Sequence, residues 1–223
     1  MFQPFEYMNI GVVLSGGIGT RFGAVKPKQY LTLNGREVID YVITEMKKAH
    51  KLDEVFVVVD HEEFLSGRIA SKYNITVIEG GATRAGSFNN ALNYIKENFK
   101  DCKKVVFHEA ARPLILSDVY DKYMDLLDEY DNVESCKHIT DSLGNYKTKS
   151  ANRDEFYLIQ APEAYRFDIL TKYFDVDSDI YYAAHQLPDS TKGYKYFDIP
   201  YNYKLTYPED VKILEFFLKE QNQ

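Results

Sequence analysis

Four short apolar runs, Ile10 to Leu14, Val55 to Val59, Ile75 to Ile78 and Val105 to Phe107, alternate along the chain with segments whose apolar residues fall at helical spacing. Runs of this length, rich in β-branched residues, read as buried strands. Strands that alternate with helices build a mostly parallel, twisted sheet covered on both faces. Val38, Ile39, Val42, Ile43 and Met46 supply the inner face of one crossover helix, and Phe88, Ala91, Leu92 and Ile95 that of another. The expected architecture is therefore three-layer α/β. With 223 residues the chain suits one domain, residues 1–223, better than two.

The first of these runs leads straight into "LSGGIGTRFGAVKPKQYL", Leu14 to Leu31, which is glycine-rich at its front and cationic at its back. Glycines let backbone N–H groups approach an anion closely, because no Cβ stands in the way. Two common phosphate loops fail on spacing. A Walker loop needs Lys followed by Ser or Thr, whereas Lys26 and Lys28 precede Pro27 and Gln29; a dinucleotide fingerprint needs a third glycine where Phe22 stands. What remains is Gly16, Gly17 and Gly19 as a cradle, then Arg21 and Lys28 as fixed cations. That set suits a triphosphate attacked at its α-phosphorus, since a pentacoordinate transition state gains charge that waiting donors must meet.

The protein as a whole does not supply this attraction. Its formal net charge is −7, which argues against nucleic acid and against an anionic membrane surface as partners. An anion must be drawn by local charge. Cys102 and Cys136 lack metal-type spacing and read as reduced thiols. The amino terminus shows no basic leader, and no run approaches the roughly 18 apolar residues of a membrane span. A cytoplasmic location is the expectation.

The quoted loop, and above all its "PKQYL" portion, resembles the signature of the cytidylyltransferases that make CDP-alcohols. These are the methylerythritol-phosphate enzymes of isoprenoid synthesis and their ribitol-phosphate relatives of teichoic acid and capsule synthesis. The likeness continues in order through "GGATRAGSFNNAL", "VVFHEAARPLI", "RDEFYLIQAPEAYR" and "YNYKLTYPEDVKILE". It implies a Rossmann-like nucleotidyltransferase fold that uses CTP with Mg²⁺. By the same resemblance Arg21, Lys28 and Lys204 are catalytic. Leu14, Ser15, Gly16, Gly17, Gly19, Gly81, Ala82, Ser87 and Ala110 bind the nucleotide, with Gly81 and Ser87 at the cytosine edge. Glu109, Arg112 and Arg153 face the acceptor, and Glu109, standing where relatives carry aspartate, is the candidate metal ligand. His108 is read as structural.

Lys137 to Pro162 contains two extended-looking pieces separated by polar "LGNYK", the pattern of a β-hairpin arm at about 137–160. In the resembled family the arm carries an arginine, here Arg153, to the acceptor site of a neighbouring subunit, which implies a homodimer. Near the end, Thr206 and Glu209 are spaced as a capping box ahead of a helix with Val211, Ile213, Leu214, Phe217 and Leu218 on its apolar side.

Departures from the resembled pattern cluster on the acceptor side. D-T-x-K on the arm becomes Asp141, Ser142, Leu143 and Gly144; Q-T-P-Q becomes Gln160, Ala161, Pro162 and Glu163. Lost hydroxyl and lysine contacts weaken recognition of methylerythritol phosphate, so the sequence favours another polyol phosphate, of the kind used in teichoic acid or capsule synthesis. Two alternatives stay open at this level: the methylerythritol-phosphate enzyme itself, and a non-catalytic nucleotide-binding protein of the same fold.

Overall fold

The computed structural model describes residues 7–17, 27–147 and 152–221. Strand β1 (Met8–Ser15) leads to the short antiparallel pair β2 (Thr32–Leu33) and β3 (Arg36–Glu37), then to helix α1 (Val38–Lys48) and β4 (Glu54–Val59). Two short helices, α2 (His61–Ser66) and α3 (Arg68–Tyr73), precede β5 (Thr76–Glu79). Next come α4 (Arg84–Asn98), β6 (Cys102–Glu109), α5 (Ser117–Leu126) and β7 (Asn132–His138). The chain closes with β8 (Tyr157–Arg166), α6 (Phe167–Tyr173), β9 (Gly193–Tyr196) and α7 (Asp210–Glu220).

Seven strands form the main sheet in the order β5-β4-β1-β6-β8-β7-β9. β5, β4, β1 and β6 pair in parallel, β8 runs against both its neighbours, and β9 is parallel to β7. The expected mostly parallel α/β sheet is what forms. The unbroken apolar runs of the sequence are explained by burial on both sides. Val57 and Val59 face α1 and α5, while Phe56 and Val58 face α4 and α6, in two separate core clusters. Both predicted crossover faces are buried as read, at Val38, Ile39, Val42, Ile43 and Met46 on α1 and at Phe88, Ala91, Leu92 and Ile95 on α4. A third, smaller cluster joins Leu33 and Val38 to Ala111, Leu205, Leu214 and Leu218.

Two sequence expectations need correction. The late helix has no capping box: the Asp210 carboxylate accepts from the backbone N–H groups of Thr206 (2.8 Å) and Tyr207 (2.7 Å), taking the place given to Glu209. On that helix Leu214 and Leu218 are buried, but Ile213 is exposed. The expected arm leaves the main sheet from the antiparallel pair β7–β8, which closes at His138 with Tyr157; the described residues beyond that point carry no strand, and 148–151 lie outside the described residues. A further, tight hairpin lies at β2–β3, where Asn34 (φ 47°) and Gly35 (φ 84°) take the left-handed conformations that a two-residue turn demands.

Glu37 closes this first corner. Its carboxylate accepts from Arg68 (2.9 and 3.0 Å), Lys72 (2.9 Å) and Tyr73 (3.0 Å) on α3. Burial alone would raise its pKa, but these donors outweigh it and hold the group at about 2. His108 in β6 is fully buried, and burial pushes its pKa down to about 3. Both groups have folded pKa values below their unfolded ones, so each binds protons more readily in the unfolded chain. Stability is thus expected to be complete above about pH 6.5, to fall first as unfolded-state histidine protonates, and to fall again below about pH 4.5 as Glu37 loses its pairs. Melting temperatures measured from pH 8 to 3 check this; for Glu37→Gln the second fall should be shallower.

Candidate active site

The parallel strands end on one side of the sheet. There the connections from β1 lead to β4 on one flank while β6 lies on the other, and ligands of open α/β sheets bind at such a reversal of strand order. A cavity of about 360 Å³ opens at this point. The end of β1 and its loop contribute Leu14, Ser15, Gly16, Gly17 and Lys28. The β5–α4 turn adds Gly81, Ala82 and Ser87; the end of β6 adds Glu109 and Ala110; Lys204 enters from the segment before α7. Eleven residues expected from the sequence therefore share one cavity. Gly19 and Arg21 fall outside the described residues.

Each wall has a local cause. Gln29, in a single 3₁₀ turn spanning Lys28–Tyr30, is buried and turns its amide back toward the loop. Its Nε2 donates to the carbonyls of Ser15 (2.7 Å) and Gly17 (3.1 Å), which fixes the glycine shoulder and sets the neighbouring Lys28 beside it. Gln29→Leu should therefore loosen the loop while keeping the side-chain volume, and raise the KM for nucleotide severalfold with little change in Tm. Steady-state kinetics and a melt of the same sample test both halves.

The opposite wall is the start of α4. Thr83, not Ser87, caps that helix, accepting from Gly86 N at 3.0 Å. Ser87 is left to the turn itself: its Oγ accepts from Gly81 N (3.1 Å) and donates to Gly81 O (3.3 Å). Hydroxyl and amides are thus gathered at one edge of the cavity, the arrangement that reads a base.

The floor is electrostatic. Glu109 Oε2 accepts from Lys204 Nζ at 2.7 Å and from Arg112 Nε at 3.1 Å. Burial would raise the Glu109 pKa, but the charges of Lys204 and Arg112 prevail and hold it at about 2. Arg112 does not line the cavity. Buried behind Glu109, it donates to the Asn202 carbonyl at 3.0 Å and supports the floor. His108 Nε2–H donates to the Arg112 carbonyl (3.0 Å) and Nδ1 accepts from Tyr120 OH (3.0 Å), a structural role as expected. Arg153 is half-exposed in a turn, bonded to the Thr140 carbonyl, and is not part of this cavity.

Glu109 is the one carboxylate among the described cavity residues, and no cluster of three or more metal-type side chains occurs among the described residues. A lone carboxylate fits Mg²⁺ that arrives with a nucleotide, since phosphate oxygens and water supply its other ligands. Five cavity residues were not among the expected site residues: Gln29, Thr83, Arg84, Ala111 and Tyr181. The first four sit inside the quoted blocks, where their neighbours drew notice. Tyr181 lies in "VDSDIYYAAHQL", which carries no motif.

The chain is similar to known proteins over nearly its whole length. The family model described as IspD, 2-C-methyl-D-erythritol 4-phosphate cytidylyltransferase, matches residues 10–220. A protein of that same description from Thermosipho melanesiensis is 29% identical over 78% of this chain and 79% of its own. The bifunctional ribulose 5-phosphate reductase/CDP-ribitol pyrophosphorylase Bcs1 of Haemophilus influenzae is 27% identical over 75% of this chain but only 38% of its own length. In structure, the 4-diphosphocytidyl-2C-methyl-D-erythritol synthase of Anaerococcus prevotii superposes with a TM-score of 0.78 at 20% identity, covering 96% of both chains. With the family model matching nearly the whole length and the fold in agreement, the chain belongs to the IspD family of CTP-dependent cytidylyltransferases, and is a nucleotidyltransferase.

Proposed function

We propose that the protein transfers CMP from CTP to a short sugar-alcohol phosphate, releasing pyrophosphate and a CDP-alcohol. The observation that carries this reading is the convergence of Lys28, Lys204 and Glu109 with the Gly81–Ser87 turn on one cavity. An oxygen of the alcohol phosphate attacks the α-phosphorus as the bond to the β-phosphate bridge breaks. No general base is needed, because a phosphate monoester is already ionised near neutral pH. Lys28, together with Arg21, meets the charge that grows on the phosphorane and the leaving pyrophosphate. Lys204, held at 2.7 Å by Glu109, aligns the two phosphates. Gly81 and Ser87 take the cytosine edge, and Glu109 would hold Mg²⁺, which when bound neutralises phosphate charge.

The family match and the printed names of the relatives favour 2-C-methyl-D-erythritol 4-phosphate as acceptor. Ribitol 5-phosphate is the second reading, favoured by Ala161 and Glu163 in place of hydroxyl and amide and by the likeness to a CDP-ribitol-forming relative. The names of the relatives lend no support to the teichoic acid or capsule role expected from the sequence. A homodimer, with Arg153 reaching the neighbouring acceptor site, belongs to the same proposal, and sedimentation at assay concentration tests it. Among the described residues no helix is long and apolar enough to cross a membrane.

Pyrophosphate release with CTP, UTP, ATP or GTP, each crossed with methylerythritol, ribitol and glycerol phosphates, tests the function. Turnover confined to CTP with one acceptor is the expected result. Silence in every combination would return the chain to the non-catalytic alternative.

A further inference from the structure

Glu163 is a carboxylate on β8 with 1% exposure, and a charge so deeply buried must be paired to persist. Its register neighbours are Phe107 on β6 and Glu134 on β7, so neither strand supplies a cation; Glu134 itself is buried, and its Oε2 has no hydrogen-bond partner among the described residues. The countercharge comes from across the sheet. Arg84, first residue of α4, sends its Nη2 to Glu163 Oε1, while Tyr165 OH donates to Glu163 Oε2. The same Arg84 side chain lines the active-site cavity, keeps some solvent exposure and lies under the exposed ring of Tyr181, 5.5 Å from its centroid. Its bond to Glu163 sets the guanidinium against β8, near enough to Glu109 at the end of β6 for the two charges to interact.

We propose that Arg84 is an acceptor-side binding residue, taking an anionic oxygen of the incoming alcohol phosphate, and that Glu163 is the positioning residue that aims it. The inference rests on the reading that an alcohol phosphate is the second substrate. A guanidinium pinned on one side by a buried carboxylate keeps its remaining N–H groups in a fixed plane, which suits a phosphate better than a freely turning cation does. Tyr181 covers the outer face of that plane. The pair would then select for the acceptor on the very strand, β8, where Ala161 has lost a hydroxyl.

The test uses the full chain with Glu163→Gln, Glu163→Ala, Arg84→Ala and the double variant Arg84→Ala/Glu163→Ala. Expected is a rise of about tenfold or more in the acceptor KM for the alanine variants, with the CTP KM within about twofold and Glu163→Gln in between. The double variant should be no worse than Arg84→Ala, because Glu163 acts through Arg84. Equal rises in both KM values, additive losses in the double variant or an unmoved acceptor KM would each overturn the proposal and leave a pair that only ties α4 to β8. Glu163→Gln keeps the shape, so it carries the test should the alanine variant not fold. Failure of the functional reading shows differently, as a wild type without turnover. Then the readout is the thermal shift given by methylerythritol or ribitol phosphate: a shift lost in Arg84→Ala and reduced in Glu163→Gln supports the inference, and an equal or absent shift in all three overturns it.

Discussion

Lys28→Ala is expected to lower kcat by about a thousandfold while the affinity for CTP changes only severalfold. The backbone of Ser15 to Gly17 and the Gly81–Ser87 turn line the cavity without any help from the ammonium, so ground-state binding has other sources. What the ammonium adds is matched to charge that appears only as the bond to pyrophosphate breaks, and an interaction confined to the transition state moves kcat and kcat/KM together. Lys28→Arg should recover little, because a planar fork cannot occupy the place of a compact ammonium beside a loop fixed by Gln29. Single-turnover measurements, which isolate the chemical step, are the appropriate check. A chemical step as fast as the wild type's would remove Lys28 from the mechanism.

Gly81→Ala should do the converse, raising the KM for CTP by about tenfold to a hundredfold with a smaller effect on kcat. An added Cβ would stand 2.6 Å from the carbonyl carbon and 2.7 Å from the Cα of Gly86, and 3.0 Å from Ser87 N. These are backbone atoms at the start of α4. They cannot rotate aside as a side chain would, so the turn must open and the Gly81–Ser87 hydrogen bonds must stretch. The sheet and both main core clusters lie elsewhere, and cooperative unfolding should persist. Gly144→Ala is the control: its Cβ meets nothing within 4 Å, and neither KM nor Tm should change.

Much of this site can be read from sequence because its pieces are local. The cradle at Gly16 and Gly17, the turn at Gly81 and the small residue Ala110 all follow the ends of strands recognisable by their apolar runs. Backbone chemistry is encoded where it is used. Side chains that act over long distances are another matter. Glu109 is only three residues from Arg112, but nothing near Arg112 in the sequence announces that the Asn202 carbonyl, 90 residues away, would also claim its guanidinium. Glu163 stood out as a departure, but its partner Arg84 is 79 residues distant and belongs to a different layer. The capping error near Thr206 arose between two adjacent acids, Glu209 and Asp210, which spacing rules hardly separate. The short strand β9 escaped notice because "GYKY" has aromatic rather than aliphatic members and only one neighbour, β7.

The small third cluster ties together parts that the sheet does not. Leu33 follows the turn bearing Lys28, Leu205 follows Lys204, and both rest on Leu214 and Leu218 of the last helix. The segments bearing the two ammonium groups thus share one mounting, which the tail of the chain completes against Val38 of α1 and Ala111. Clipping that tail, or loosening it with a polar residue at Leu214, should leave a well-folded body whose reactive groups have lost their common reference, a protein that still melts sharply and no longer turns over.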